Sequence, residues 1–499
     1  YGLVGSEMCI RDRAMDEVLN QNKLLEATMC YTGDILDLSK DKYTLKYYVD
    51  LAKELERRGA HMLAIKDMSG LLKPYAAKKL VSTLKQEIGI PIHLHTHDTT
   101  GNQVAALLMA AEAGVDVVDA ACAPLAGLTS QPSLDALVAA LQGTERDTGL
   151  DLRRVQELSN YWADVRLRYE SFDHGLKTST TDIYRYEIPG GQYTNLRPQV
   201  ESLGLGDRFE EVKEMYKTVN DMLGDPVKVT PSSKVVGDLA IFMVQNDLTP
   251  ENIVERGKAL AFPDSVVSYF KGMMGQPAWG FPEDLQKVVL KGEEPITCRP
   301  GKLLPPVDFD QLEQEVRKFR DDPERKDLIS YAMYPKVYED FCRHRKEYGY
   351  ITRMGSHVFF NGMALGETNK INIEDGKTLV IKYLGLGDHN DDGTINVQFE
   401  LNGMRREVAV RDPNASEKTR QVVQADESDP RQVGASIPGM VSKLHVQPGD
   451  TVEENQVLMT IEAMKMETAV TARTAGKVRE IRVKEGQAVK AKELLMLLD

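Results

Sequence analysis

The sequence predicts an α/β chain of several parts: a partial parallel (β/α)8 barrel with a helical extension, a mixed α+β middle region, and a carboxyl-terminal all-β barrel-sandwich domain. Three observations predict it. Apolar strand segments alternate with helical periods from residue 24 to residue 143, a mostly helical stretch follows, and one Gly/Val pattern is written twice near the end. Alternating strand–helix units require parallel strands with helices outside, and a pattern repeated at fixed offset marks two copies of one supersecondary unit.

Residues 1–13 lack an initiator Met and the basic-then-apolar order of a signal peptide. They fit no helix or strand period and resemble translated adapter sequence, so they are set aside as non-native and native sequence is expected from near Ala14. Strands are then predicted at 24–31, 61–66, 90–95 and 115–121, with helices at 45–58, 75–87, 103–113 and 133–141. In the first helix Leu45, Tyr48, Val49, Ala52 and Leu55 recur at helical spacing until Gly59 ends it. Units of roughly 30 residues suit a (β/α)8 barrel, of which residues 14–150 supply four units. A flavodoxin-like open sheet has the same period, but the strand ends favour the barrel. Half a barrel would leave two sheet edges and an open apolar face, so this segment is expected to be unstable or aggregated in isolation.

Three of the nine histidines close the third strand as His93-Leu94-His95-Thr96-His97. Residues i, i+2 and i+4 of a strand share a face, so the three imidazoles point one way, at the end where barrel enzymes place their chemistry. Neutral imidazoles there suit zinc or manganese. His93, the deepest, has packing as its simpler role. Lys66 ends the second strand, and a lysine leaving an apolar strand must be paired or modified to offset burial. A salt bridge is the simpler solution; carbamylation by carbon dioxide, which makes an anionic oxygen ligand, is the other. Thr230-Pro231-Ser232-Ser233 reads as a helix start before Val235, Leu239, Phe242 and Met243.

In the repeat, Gly439, Val441, Val446, Gly449, Val452 and Leu458 return as Gly476, Val478, Val483, Gly486, Val489 and Leu495, each 37 residues on. Glycines mark turns and the Val-rich runs are short strands. Lys465, in Ala463-Met464-Lys465-Met466, falls between the halves, at a hairpin where a flexible amine can carry a covalent prosthetic group. This segment resembles a biotinyl carrier domain. Lipoyl domains share the duplication but usually carry Asp-Lys-Ala, so methionine on both sides favours biotin.

With 62 basic and 76 acidic residues the net charge is −14, spread along the chain. That argues against nucleic acid or an anionic membrane as partner. Five scattered cysteines without a CxxC point to a reducing compartment, and no apolar run approaches the roughly 20 residues a membrane helix needs.

Four motifs in order resemble the carboxyltransferase domain of the pyruvate carboxylase family: 65–74 (Ile-Lys-Asp-Met-Ser-Gly-Leu-Leu-Lys-Pro), 93–98 (His-Leu-His-Thr-His-Asp), 189–196 (Pro-Gly-Gly-Gln-Tyr-Thr-Asn-Leu) and 229–238 (Val-Thr-Pro-Ser-Ser-Lys-Val-Val-Gly-Asp). The resemblance runs from about Leu24 to Asp499. It implies the second half of a carboxyltransferase TIM barrel over 14–150, its helical extension over 151–304, a tetramerisation or allosteric α+β region over 305–410, a linker over 411–432 and the biotinyl carrier over 433–499. It also implies that Lys66 is carbamylated and binds a divalent metal, zinc or manganese, with His95 and His97. Thr230 would relay a proton between pyruvate and biotin, Ser233 would line the biotin pocket, and a biotin protein ligase would modify Lys465. The implied activity is transfer of a carboxyl group from carboxybiotin to pyruvate, giving oxaloacetate, within a homo-oligomer, a tetramer in the family. The location would be the cytoplasm, or the mitochondrial matrix in a eukaryote.

The family's Asp-Ala-His-Gln run, which supplies a further metal ligand, and its pyruvate-gripping Arg are missing, as is the half that uses ATP and bicarbonate. The sequence is therefore expected to be a carboxyl-terminal fragment, inactive alone. The nearest rivals are the alpha subunit of a biotin-dependent oxaloacetate decarboxylase or transcarboxylase, which the long segment between Gly280 and Gly403 disfavours, and a non-catalytic biotin carrier.

Overall fold

Strands β1 (Glu26–Cys30), β2 (Met62–Asp67), β3 (Ile92–Thr96) and β4 (Val117–Val118) form one parallel sheet in the order β1-β2-β3-β4. The computed structural model describes residues 9–173, 176–277, 279–390, 393–412, 423–426, 429–463 and 466–499. Lys465 and residues 1–8 lie outside that set. The first helix, α1 (Cys9–Asn20), begins inside the segment that the sequence reading set aside. Its Met15 is buried in the core under the sheet, and this core contact, which no period within residues 1–13 announces, is why the reading missed it.

Helices α2 (Leu45–Arg57), α3 (Pro74–Glu87), α4 (Gln103–Glu112) and α5 (Leu134–Leu141) follow the strands, close to the predicted positions. Each start has a local cause: the Thr44 hydroxyl accepts the Tyr47 N–H, Pro74 opens α3, and the Ser133 hydroxyl caps α5. Strand alternation sorts the side chains. Ala27, Met29, Leu63, Ile65, Ile92 and Leu94 are buried among Tyr48, Ala52, Leu80, Leu84 and Leu107. The opposite face carries Glu26, Lys66, His93 and His95. The expected open apolar face is therefore corrected: the strands turn their apolar side to the helices and their charged side inward.

The helical extension runs through α6 (Leu152–Leu167), α7 (Ile183–Tyr186), α8 (Gly190–Ser202), α9 (Phe209–Met222) and α10 (Ser232–Gln245) to shorter helices ending at Leu290. Apart from Lys234 and Gln245, every residue of α10 is buried. The loop after β1 ties this region to the sheet. Lys40 pairs with Glu187, Lys42 donates to the Gly224 carbonyl at 2.8 Å, and the Tyr43 hydroxyl donates to the Asp225 carbonyl at 2.7 Å.

Residues 301–421 form a separate compact unit. Its helices have a small core of Val316, Leu328, Tyr338 and Cys342. Its strands β5 (Thr368–Glu374), β6 (Lys377–His389), β7 (Thr394–Leu401) and β8 (Met404–Arg411) make an antiparallel sheet in chain order. Asn402 and Gly403 turn β7 into β8, both with positive φ (49° and 84°), the two-residue turn their pairing predicts. The strict apolar–polar alternation of 395–401 predicts a half-buried strand, but no described residue of this sheet is buried.

The carboxyl-terminal domain has two four-stranded sheets. Strands β9 (Gln432–Gly434), β10 (Gly439–Leu444), β11 (Thr451–Val452), β12 (Val457–Ala463), β13 (Met466–Thr471), β14 (Gly476–Ile481), β15 (Ala488–Val489) and β16 (Leu494–Leu498) assemble as β13-β12-β10-β15 and β11-β14-β16-β9. Each half lends its short strand to the other: Gly439 pairs with Val489, and 37 residues away in each half Gly476 pairs with Val452. The repeated glycines admit close backbones. A Cβ on Gly439 would lie 2.5 Å from the Glu462 carbonyl oxygen, and one on Gly476 would lie 2.8 Å from that of Asp499. Residues 423–426 of the expected linker are bonded to this domain through Ala425 N–H to Lys492 O and Leu494 N–H to Val423 O; residues 413–422 and 427–428 lie outside the described set.

Candidate active site at the strand ends

The register of the parallel sheet places Lys66 beside His95 and Asp67 beside Thr96. His97 follows β3 directly, its N–H donating to the Asp67 carbonyl at 3.0 Å, so the strand pattern extends one residue further. The His95 and His97 rings stand 5.2 Å apart, edge to face.

Each of these imidazoles is oriented through Nδ1. His97 Nδ1 lies 2.7 Å from the Thr129 carbonyl oxygen, which can only accept, so Nδ1 carries the proton and Nε2 a lone pair. His95 Nδ1 lies 2.7 Å from Asp119 Oδ2, which leaves Nε2 open in the same way. Burial, with the neighbouring His95, holds His97 below the usual imidazole range and so neutral. His93 differs. Its Nδ1 faces Glu26 at 2.6 Å and its Nε2 faces Asp119 at 2.9 Å, so both nitrogens donate and neither is free to bind a metal. Partial burial pulls its pKa down, but the two carboxylates outweigh this and raise it. It is an ion-paired residue rather than packing.

Lys66 is half-buried, and among the described residues it makes no ion pair or hydrogen bond. The salt bridge expected as the simpler solution does not form, because alternation turns Asp67 to the other face. Asp67 instead organises the loop: Oδ1 accepts the N–H groups of Ser69, Gly70 and Leu71, while Oδ2 accepts those of Leu72 and the Thr96 hydroxyl. Gly70 has φ 79°, and a Cβ there would sit 2.6 Å from the His97 carbonyl oxygen.

The amino end of α8 reaches the histidines. Gly190 N–H donates to the Met68 carbonyl at 2.9 Å, and the space a Cβ on Gly190 would take lies 3.4 Å from both His97 Nδ1 and Thr99 Oγ1. The buried Thr99 hydroxyl has no hydrogen-bond partner among the described residues. Farther along α8, Gln192 packs on Gly237 of α10. Thr230 and Ser233 belong to that second element, and no described hydrogen bond joins either to the histidines. Thr230 is exposed and Ser233 buried. Pro231 is the N-cap of α10, and the Ser232 hydroxyl, set among the Val227 and Val229 backbone, secures the turn. Residues 230–233 are thus the helix start that the sequence suggested, with Pro231 rather than Thr230 at the N-cap. Lys228, which sequence reasoning passed over, is buried between Glu187 and Asp225 at 2.8 Å each. Asp119 was also missed, although an acidic residue just after β4 beside a histidine strand was a readable signal. The Thr129 carbonyl was not readable, since any residue supplies one.

A barrel-type sheet with paired histidines at its strand ends, followed on one chain by a duplicated carrier-type β domain, defines the class of biotin-dependent carboxyltransferases. Residues 36–161 match the HMGL-like family, 183–382 the conserved carboxylase domain and 431–498 the biotin-requiring enzyme family. The pyruvate carboxylase of Bacillus subtilis (strain 168) is 49% identical over 487 residues, 97% of this chain and 42% of that protein. The carboxyl transferase domain of Rhizobium etli pyruvate carboxylase superposes with a TM-score of 0.75 at 48% identity, over 81% of this chain and 68% of that one. The structure of the same domain with pyruvate and biocytin gives equal values. The chain belongs to the pyruvate carboxylase family. It spans 42% of the length of the Bacillus relative.

Proposed function

We propose that the chain houses the carboxyl-transfer step of a pyruvate carboxylase, in which pyruvate becomes oxaloacetate. The observation that carries this is the pair of open Nε2 atoms on His95 and His97 beside Lys66, which makes no ion pair among the described residues. That donor set fits a divalent cation, zinc or manganese, and Lys66, freed of any salt bridge, is available for carbamylation to supply an oxygen ligand. Such a cation would polarise or orient an oxo-acid acceptor. Covalent biotin would be carried on Lys465, which falls in sequence between the paired Ala463 and Met466, and would bring the carboxyl group to the strand ends.

The chain's own residues do the rest. Among the described residues no hydrogen bond engages the Thr230 hydroxyl, so it could move a proton at Oγ1, taking one from the acceptor's methyl carbon as it hands its own to biotin. Ser233, buried in the first turn of α10, would line the biotin pocket. The exposed faces of the β5–β8 sheet support assembly with other copies, a tetramer as in the family. Among the described residues Cys30, Cys122, Cys298 and Cys342 form no disulfide, which supports a reducing compartment. None of the described helices is long and apolar enough to cross a membrane.

The test is co-expression with a biotin protein ligase, followed by streptavidin blotting, and an oxaloacetate assay of the chain joined to the amino-terminal part of a relative, which supplies both the ATP-dependent carboxylating half and the remaining barrel strands. Labelling and turnover are expected in the wild type, and neither in Lys465→Arg. Labelling of the arginine variant would remove the carrier assignment, and a labelled wild type that makes no oxaloacetate would remove the transfer step.

A further inference from the structure

Four side chains on the inner face of the sheet form one chain of hydrogen bonds, Glu26–His93–Asp119–His95. Three strands or their ends contribute: β1 gives Glu26, β3 gives both histidines, and Asp119 follows β4. Asp119 accepts from two imidazoles with different oxygens, His93 on Oδ1 and His95 on Oδ2, which fixes the plane of its carboxylate. His93 is fixed in turn, because both its nitrogens donate to carboxylates. An isolated neutral imidazole prefers its proton on Nε2, the nitrogen that a metal would need here. The Asp119 carboxylate reverses that preference at His95.

We propose that Asp119 is a positioning residue, which holds His95 in the Nδ1–H tautomer with Nε2 open, and that the His93–Glu26 pair behind it keeps the carboxylate in place. The inference rests on the reading of His95 as a metal ligand. A ligating histidine whose other nitrogen is held by a carboxylate is a recurrent arrangement, and loss of such an outer partner lowers metal affinity by about 10–100-fold. His97 reaches the same tautomer through the Thr129 carbonyl, which no side-chain substitution removes, so it serves as the internal control.

The test uses the chain labelled with 15N-histidine. Long-range proton–nitrogen spectra read the tautomer of each imidazole without any metal, and competition with a chelator reads zinc affinity. In the wild type His95 and His97 are expected as Nδ1–H and His93 as doubly protonated. Asp119→Ala should move His95 toward Nε2–H, leave His97 unchanged and weaken zinc about 10–100-fold. Asp119→Asn, whose amide oxygen still accepts one hydrogen bond, should fall between. His93→Gln should weaken zinc by less than Asp119→Ala. The Asp119 side chain is 40% exposed, so the Asp119 variants should stay folded. A folded Asp119→Ala chain with His95 still Nδ1–H, or with wild-type zinc affinity, overturns the proposal. Should that variant fail to fold, unchanged affinity in Asp119→Asn overturns it equally. A wild type that takes up no zinc while its His95 tautomer still follows Asp119 overturns the metal reading instead.

Discussion

Lys66 and His95 are register partners on adjacent parallel strands, so an amine and an imidazole leave the sheet side by side on the same face. The pairing gives the first prediction. If Lys66 becomes a carbamate, metal uptake should rise with bicarbonate in the wild type, and Lys66→Arg should abolish that dependence. His95→Ala and His97→Ala should lose bound metal whatever the bicarbonate level. Metal analysis of the dialysed variants checks all three, and full occupancy in both histidine variants would make the run structural.

Gly70 is held between two demands, a positive φ and the His97 carbonyl 2.6 Å from where a Cβ would sit. Gly70→Ala should therefore cost about 1–3 kcal/mol of stability and displace His97. Gly190→Ala meets only ordinary contacts near 3.4 Å and should fold normally. Chemical denaturation of the two variants separates a strained glycine from a tolerant one.

Thr230 is exposed and caps nothing, so Thr230→Ala should change stability by no more than about 0.5 kcal/mol. Transfer to pyruvate should be abolished in the chain joined to the whole amino-terminal part of a relative, while ATP-dependent biotin carboxylation stays intact. Thr230→Ser should retain part of the transfer. Melting curves and turnover on the same samples decide it, and an alanine variant that turns over normally would end the relay.

Lys228 is 1% exposed, and its ammonium sits between the carboxylates of Glu187 and Asp225. Lys228→Met should cost about 3–5 kcal/mol, because two like charges are left without their partner. Burial lowers the Lys228 pKa, but the coulombic pull of Glu187 and Asp225 outweighs it and raises it. Burial likewise raises the Asp225 pKa, but Lys228 outweighs it and lowers it. The Asp225 contribution is present above the usual carboxylate range and lost as pH falls through its depressed value. The Lys228 contribution is present below the usual lysine range and lost as pH rises through its raised value. Stability from this pair should thus be greatest between the two and should flatten in Lys228→Met, as urea titrations across pH would show.

Much of the site was legible as pattern. The alternation of 93–97 put His95 and His97 on one face because strand geometry repeats every two residues, and the 37-residue offset returned as pairs of equivalent strands. The individual roles were not legible. His93, Asp119 and Glu26 are far apart in sequence, and only their meeting on the inner face shows that one histidine is consumed by carboxylates while its neighbour is left open.

The sequence by itself determined the parallel strand–helix order, the histidine face, the lysine at the end of β2 and the duplicated frame around Lys465, since each rests on spacing along one segment. Only the tertiary structure decided that the charged side of the sheet faces away from the helices, that no described residue forms a salt bridge with Lys66, that Ser232 rather than Thr230 holds the turn, and that each half of the carboxyl-terminal domain completes the other's sheet. These depend on contacts between residues distant in the chain, and local periodicity carries no record of which distant partner will occupy a hydrogen bond.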